Sequence, residues 1–181
     1  MKKKIALIFG ISGQDGAYLA NFLLKKKYIV IGITRNNSNQ NLSKLKKINI
    51  KKKLLIYKNK KITKSFLEKI LRQSKRINEI YYLSGETSPL KSIAKPIDTI
   101  DSNVISIIKI LEFIRMSSKK TKFFYASSSE IFEKNKKNVF NENSKFGPRT
   151  PYGISKAAGQ WFVKFYRQQY NLFSCSGILF N

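Results

Sequence analysis

The stretch "IFGISGQDGAYL" (residues 8–19) sets three glycines, Gly10, Gly13 and Gly16, between an apolar run and an amphipathic segment. A strand, then glycines, then a helix is the order that binds a dinucleotide pyrophosphate. Glycine lets the backbone turn tightly and come close to the phosphates, and the helix N-terminus offers unpaired N–H groups with a partial positive charge. The three glycines are therefore candidate cofactor contacts. The plainer alternative is a strand-to-helix turn that holds nothing.

Outward from this loop, short apolar runs alternate with longer segments of helical period. Strands are expected at 4–9, 28–33, 53–57, 79–84, 122–127 and 173–180, and helices near 15–26, 64–75, 97–117 and 152–170. This alternation is the signature of repeated βα units, and it predicts an α/β fold with a doubly wound parallel sheet of Rossmann type. The last helix is well marked, with Thr150 placed to cap it and Pro151 suited to its first turn. In "LLKKKYIV" (residues 23–30) the first helix must stop without a glycine to take the left-handed cap. A lysine there costs on the order of 1 kcal/mol.

Composition removes whole classes of chemistry. The chain has 181 residues, no histidine and one cysteine, Cys175. Disulfide frameworks, Cys/His metal sites and histidine-based triads are excluded, so no metal is expected and acid/base work falls to Tyr, Lys, Asp, Glu or Ser. No apolar run reaches the roughly 18 residues that a membrane span needs. The basic, apolar N-terminus runs into glycines where a signal-peptide cleavage site belongs, so it is read as a buried first strand of a cytoplasmic protein.

The formal net charge is +26, with 30 lysines against six arginines. The densest stretch, residues 44–61, is either a solvated charged face or a nucleic-acid patch. Lysine spread over the whole chain does not resemble an arginine-based recognition surface, and no nucleic-acid partner is expected. A basic surface also attracts anionic nucleotides.

Two further stretches carry chemistry. After the second expected strand the chain reads "GITRNNS", with Arg35 where an NAD-binding domain places an acid on the ribose. An arginine there pairs with a 2′-phosphate, which favours NADP; otherwise Arg35 is a plain surface cation. Tyr152 and Lys156, four apart in "YGISK", share a helix face. A nearby ammonium favours the phenolate, so Lys156 is expected to lower the Tyr152 pKa and make it a usable base. "YASSSEIF" (residues 125–132) ends an expected parallel strand, where such sheets place their ligands.

Taken together, "GISGQDGAYLANFLL", "ASSSEIF", "PRTPYGISKAAGQWFVKFYRQQY" and "GILFN" resemble the extended short-chain dehydrogenase/reductase family, and within it the branch that dehydrates GDP-mannose. The resemblance implies a redox-neutral reaction that uses bound NADP twice. Tyr152 takes the proton of the sugar 4-hydroxyl as hydride leaves C4, Glu130 removes the C5 hydrogen as the 6-hydroxyl departs as water, and hydride returns to C6. The product is a GDP-4-keto-6-deoxy sugar. Ser128 is expected to hydrogen-bond the 4-oxygen, Lys156 to hold the ribose and tune Tyr152, and Asn181 to lie beside the substrate. Gln14, Asp15, Leu83 and Ser84 join the glycines and Arg35 as implied cofactor contacts.

The family usually carries an acid after its third strand, against the adenine amino group, where this chain has Lys60. The family also continues for about as many residues again beyond position 181. Residues 1–181 are therefore expected to form the cofactor domain, with the C-terminal substrate domain outside the chain and self-association a further expectation. Another nucleotide-sugar dehydratase or epimerase, or a fragment that binds dinucleotide without catalysis, fits the same motifs.

Overall fold

The computed structural model describes residues 3–59, 61–133 and 139–180. Lys60 and Asn181, singled out from the sequence, lie outside them. Six strands form one parallel sheet: β1 (Ile5–Phe9), β2 (Ile29–Thr34), β3 (Leu55–Lys58), β4 (Glu79–Tyr82), β5 (Lys122–Ala126) and β6 (Ser174–Gly177). Their order is β3-β2-β1-β4-β5-β6, so the direction of winding reverses between β1 and β4. That reversal opens a crevice at the carboxyl ends of these two strands, the usual ligand position of doubly wound sheets.

Period-two alternation explains both faces of the sheet. On β1, Ile5, Leu7 and Phe9 join the core beneath α3 (Lys64–Ser74), α6 (Ser106–Ser117) and α7 (Pro151–Tyr170). Ala6 and Ile8 face the opposite core, beneath α1 (Gln14–Lys25) and α2 (Ser43–Lys47). Burial on both faces is why these strands read as nearly unbroken apolar runs.

The first helix ends as its sequence requires. Lys27 takes φ 63°, and the N–H groups of Lys27 and Tyr28 donate to Leu24 and Leu23 (3.0 Å each). This is a Schellman closure with lysine in the glycine position. Thr150 caps α7, its hydroxyl accepting from the Gly153 N–H (3.1 Å), and Pro151 opens the first turn.

Three local features differ from the expected pattern. Lys51–Lys53 wind into a 3₁₀ turn, so β3 begins at Leu55. The run expected at 97–117 is broken: α5 (Pro96–Ile100) passes through a π turn at Asp101–Ile105 into α6. Two short helices, α2 and α4 (Pro89–Ala94), were not visible as apolar periodicity because each is a turn or two long.

Candidate active site

The glycine loop is built by backbone contacts. The N–H groups of Gly10 and Ile11 both donate to the Ile33 carbonyl (3.1 and 3.3 Å), and the Gly13 N–H closes onto Gly10 O (2.9 Å). Gly10 sits at φ +86°, and a Cβ there would meet the Leu83 carbonyl at 2.6 Å. A side chain at this point is blocked by both conformation and space.

Gly13 is the N-cap of α1 and carries no side chain to satisfy the first-turn N–H groups. By contrast α3, α4 and α7 are capped by Thr63, Ser88 and Thr150. The α1 terminus thus presents open donors and its dipole to the crevice, which is the chemistry that fits a pyrophosphate. A cavity of about 340 Å³ lies there, lined by Gly10, Gly13, Arg35, Leu83 and Ser84 among others. Gln14 and Asp15 occupy the exposed first turn of α1, and Gly16 is buried against Gly10.

The second half of the site comes from β5 and α7. Ser128 caps a 3₁₀ turn (Ser129–Ile131), its hydroxyl accepting from the Glu130 N–H (3.3 Å). Helix α7 runs close over this turn, since a Cβ on Gly153 would lie 2.5 Å from the Glu130 carbonyl. Tyr152 and Lys156 are buried, 8% and 5% exposed. The Lys156 Nζ donates to the Ala126 carbonyl (2.8 Å) and stands 5.7 Å from the Tyr152 ring centre and 5.2 Å from that of Tyr125.

The electrostatics correct one expectation. Burial raises the Tyr152 pKa above its ordinary value; the Ser128 hydroxyl pulls it down and the Glu130 charge pushes it up. The Lys156 Nζ hydrogen-bonds the Ala126 carbonyl. The lysine itself is the more perturbed member: burial lowers its pKa from 10.5 to about 8. The structure therefore brings Ser128, Glu130, Tyr152 and Lys156 together, with Ser128 as the group easing Tyr152 ionisation.

Sequence reasoning missed the polar residues that hold this half of the site. The Asn103 Nδ2 donates to the Ser155 hydroxyl (2.9 Å), which donates to the Tyr152 carbonyl (2.7 Å). The Tyr152 N–H donates to the Ser92 hydroxyl (3.0 Å). Asn103, Ser92 and Ser155 are all fully buried. The one available signal was an asparagine among apolar residues, "DSNVISII", inside a helical run.

An all-parallel sheet in this order, an uncapped glycine turn at its reversal and a Tyr/Lys helix beside it define a Rossmann-type domain of the short-chain dehydrogenase/reductase class. Residues 7–181 match the family model described as GDP-mannose 4,6 dehydratase, and the chain belongs to that family. It is 36% identical over 192 residues to GDP-mannose 4,6-dehydratase of Vibrio cholerae, covering 100% of this chain and 50% of that protein. With GDP-mannose 4,6 dehydratase of Drosophila melanogaster it shares 37% identity over 188 residues, 99% of this chain and 47% of the relative. The chain thus spans about half the length of the curated relatives it matches.

Among solved structures, dTDP-glucose 4,6-dehydratase from Bacillus anthracis in complex with NAD superposes with a TM-score of 0.80 at 22% identity, over 96% of this chain and 53% of that one. DesIV, a dTDP-glucose 4,6-dehydratase from Streptomyces venezuelae with NAD and TYD bound, gives 0.81 at 20%, over 95% and 54%. At these identities the likeness speaks for the fold. Among the described residues no helix is long and apolar enough to cross a membrane.

Proposed function

We propose that this chain is the cofactor-binding half of an enzyme that converts GDP-mannose to GDP-4-keto-6-deoxymannose with NADP. The observation that carries the proposal is the meeting of Ser128, Glu130, Tyr152 and Lys156 beside an open, uncapped glycine turn. Family membership and relatives named as GDP-mannose 4,6-dehydratases support the substrate. Arg35, exposed at the end of β2 and lining the cavity, favours a 2′-phosphate and hence NADP.

Gly10, Gly13, Gln14, Asp15 and Gly16 hold the pyrophosphate end, and Leu83 and Ser84 border the crevice beyond it. Bound NADP supplies the acceptor and donor of hydride. Tyr152 takes the proton of the sugar 4-hydroxyl, helped by the Ser128 hydroxyl, which also holds the 4-oxygen. The buried Lys156 ammonium keeps positive charge near the phenolate that forms and reaches toward the nicotinamide ribose. Glu130, on the turn below, takes the C5 proton once C4 is a ketone and passes it to the departing 6-hydroxyl, which leaves as water. Asn181 is assigned to the substrate's side.

The chain works in the cytoplasm, with the substrate domain supplied by the C-terminal half that its relatives possess. Apolar residues exposed along α7, Ile154, Trp161 and Phe165, support association with a second copy.

A fluorescence titration of the 181-residue chain with NADPH and NADH tests the cofactor half of this reading. Saturable binding that prefers NADPH, with the preference lost in Arg35→Ala, is expected. No binding of either sinks it. Incubating GDP-mannose with the chain joined to a relative's C-terminal half tests the rest: a 4-keto-6-deoxy product lost in Tyr152→Phe and Glu130→Gln is expected, and binding without product rejects the catalytic assignment.

A further inference from the structure

We infer that Asp101 reads the adenine base of the cofactor by accepting a hydrogen bond from its exocyclic amino group. This rests on the dinucleotide reading above and adds a base-selecting residue to it. The fold fixes where the base must lie. A dinucleotide whose pyrophosphate sits on the Gly13 end of α1 spreads its two bases to either side of the strand-order reversal. Tyr152 and Lys156 stand on the β5 side, so the adenosine half lies over the ends of β2 and β3.

At that place there is a cavity of about 260 Å³, whose walls include Gly10, Arg35, Asn59, Tyr82, Asp98 and Asp101. Its charge is unusual for this chain. Acids are scarce, 10 against 36 lysines and arginines, and only three are aspartates. Two of those three line this one cavity. Neither Asp98 nor Asp101 makes a side-chain hydrogen bond or ion pair among the described residues, where the ion pairs are Lys64–Glu68 and Arg115–Glu112. An ionised carboxylate is an acceptor only, so one without a partner suits an N–H donor such as the adenine amino group. The cations at the β2 and β3 ends, Arg35 and Lys61, suit the 2′-phosphate, and the aspartates suit the base.

Three of the other polar side chains in the cavity are engaged within the protein. The Asn59 Oδ1 accepts from the Lys61 N–H (3.0 Å), the Ser106 hydroxyl donates to the Asp101 carbonyl (3.0 Å), and the Tyr82 hydroxyl donates to the Ser102 carbonyl. Asp101 is favoured over Asp98 by its place next to Ser102, whose carbonyl accepts from the Tyr82 hydroxyl at the cavity wall. It opens the π turn, and its charge and that of Arg35 both act on the buried Tyr82 phenol, whereas that of Asp98 does not. A π turn at this point re-aims the residue that begins it, a common device at binding sites.

The test compares NADPH with its deamino analogue, in which hypoxanthine replaces adenine and a carbonyl stands where the amino group was. Both are titrated by nicotinamide fluorescence into the wild-type chain and into Asp101→Ala, Asp101→Asn and Asp98→Ala. The wild type should prefer NADPH by roughly 10- to 100-fold, the usual worth of a hydrogen bond to a charged group. Asp101→Ala should lose that preference, and so should Asp101→Asn, because an amide can serve either base edge. Asp98→Ala should keep it. A preference that survives in both Asp101 variants, or a wild type that binds both cofactors equally well, overturns the assignment while leaving the cofactor reading intact. A wild type that binds no NADPH overturns the cofactor reading, and the assignment with it.

Discussion

The side chain of Asn103 clasps the backbone of Glu86 from both sides: its Nδ2 donates to the Glu86 carbonyl (3.1 Å) and its Oδ1 accepts from the Glu86 N–H (2.9 Å). The same Nδ2 reaches Ser155 on α7. One fully buried amide thus joins the loop after β4 to the helix that carries Tyr152 and Lys156. Gly85 fits against it at φ +123°, where any Cβ would run into the Asn103 Oδ1.

Replacing Asn103 with leucine keeps the branched side-chain shape in a larger volume and removes every one of these bonds. The Glu86 N–H and carbonyl then lose this partner, and the Ser155 hydroxyl loses its donor while keeping the Tyr152 carbonyl, at about 1 kcal/mol or more each. Asn103→Leu is expected to lower unfolding stability by about 2 to 4 kcal/mol in a urea titration. A loss under about 1 kcal/mol would show that the clasp is incidental.

The left-handed lysines predict gains. Lys27 and Lys75 hold φ 63° and 62° at the ends of α1 and α3. Glycine adopts this conformation without Cβ strain, although it costs more backbone entropy. Lys27→Gly and Lys75→Gly should each stabilise by about 0.5 to 1 kcal/mol. They lie at separate helix ends, so the double variant should show the sum. Destabilisation of either single variant in thermal melts would refute the strain argument.

Burial of Lys156 gives stability a pH dependence of definite sign. Its folded pKa of about 8 lies below the ordinary 10.5. Below pH 8 folded and unfolded chains both carry the proton, and the folded state bears the full burial cost, about 3 kcal/mol. Between about pH 8 and 10.5 the unfolded chain holds a proton that the folded chain has released, so this contribution makes stability rise with pH. Lys156→Met should remove the rise. At pH 7 it should stabilise by about 1 to 2 kcal/mol, less than the full cost because the Ala126 carbonyl loses its donor. An identical pH slope in wild type and variant would reject this account.

The strands and the glycine turn were legible because they are local. A six-residue apolar run between turn residues, or glycines at fixed spacing before an amphipathic segment, states its own conformation. Thr150, Pro151 and the left-handed Lys27 were legible for the same reason. The Tyr152 environment was not. A spacing of four places Lys156 on the same helix face, yet the Ala126 carbonyl on β5, 30 residues away, decides where the ammonium points. Asn103, Ser92 and Ser155 were equally hidden, since their partners come from elements far apart in the chain. Long-range polar partners leave no periodic trace.

Two glycine substitutions in the same loop should separate folding from cofactor binding. Gly10→Ala forces a Cβ to φ +86° and to 2.6 Å from the Leu83 carbonyl, a backbone atom that cannot swing aside. It should cost about 2 to 4 kcal/mol of stability. Gly13 has φ −71° and ψ 171°, which alanine adopts freely, and an added Cβ there lies 3.2 Å from the Gly10 carbonyl. Gly13→Ala should therefore stay within about 1 kcal/mol of wild type in urea unfolding. Its methyl would nevertheless project at the uncapped end of α1, where the phosphates must approach the N–H groups. NADPH affinity should fall by about tenfold or more in a fluorescence titration. If Gly13→Ala binds NADPH as wild type does, the open terminus of α1 is not where the pyrophosphate sits.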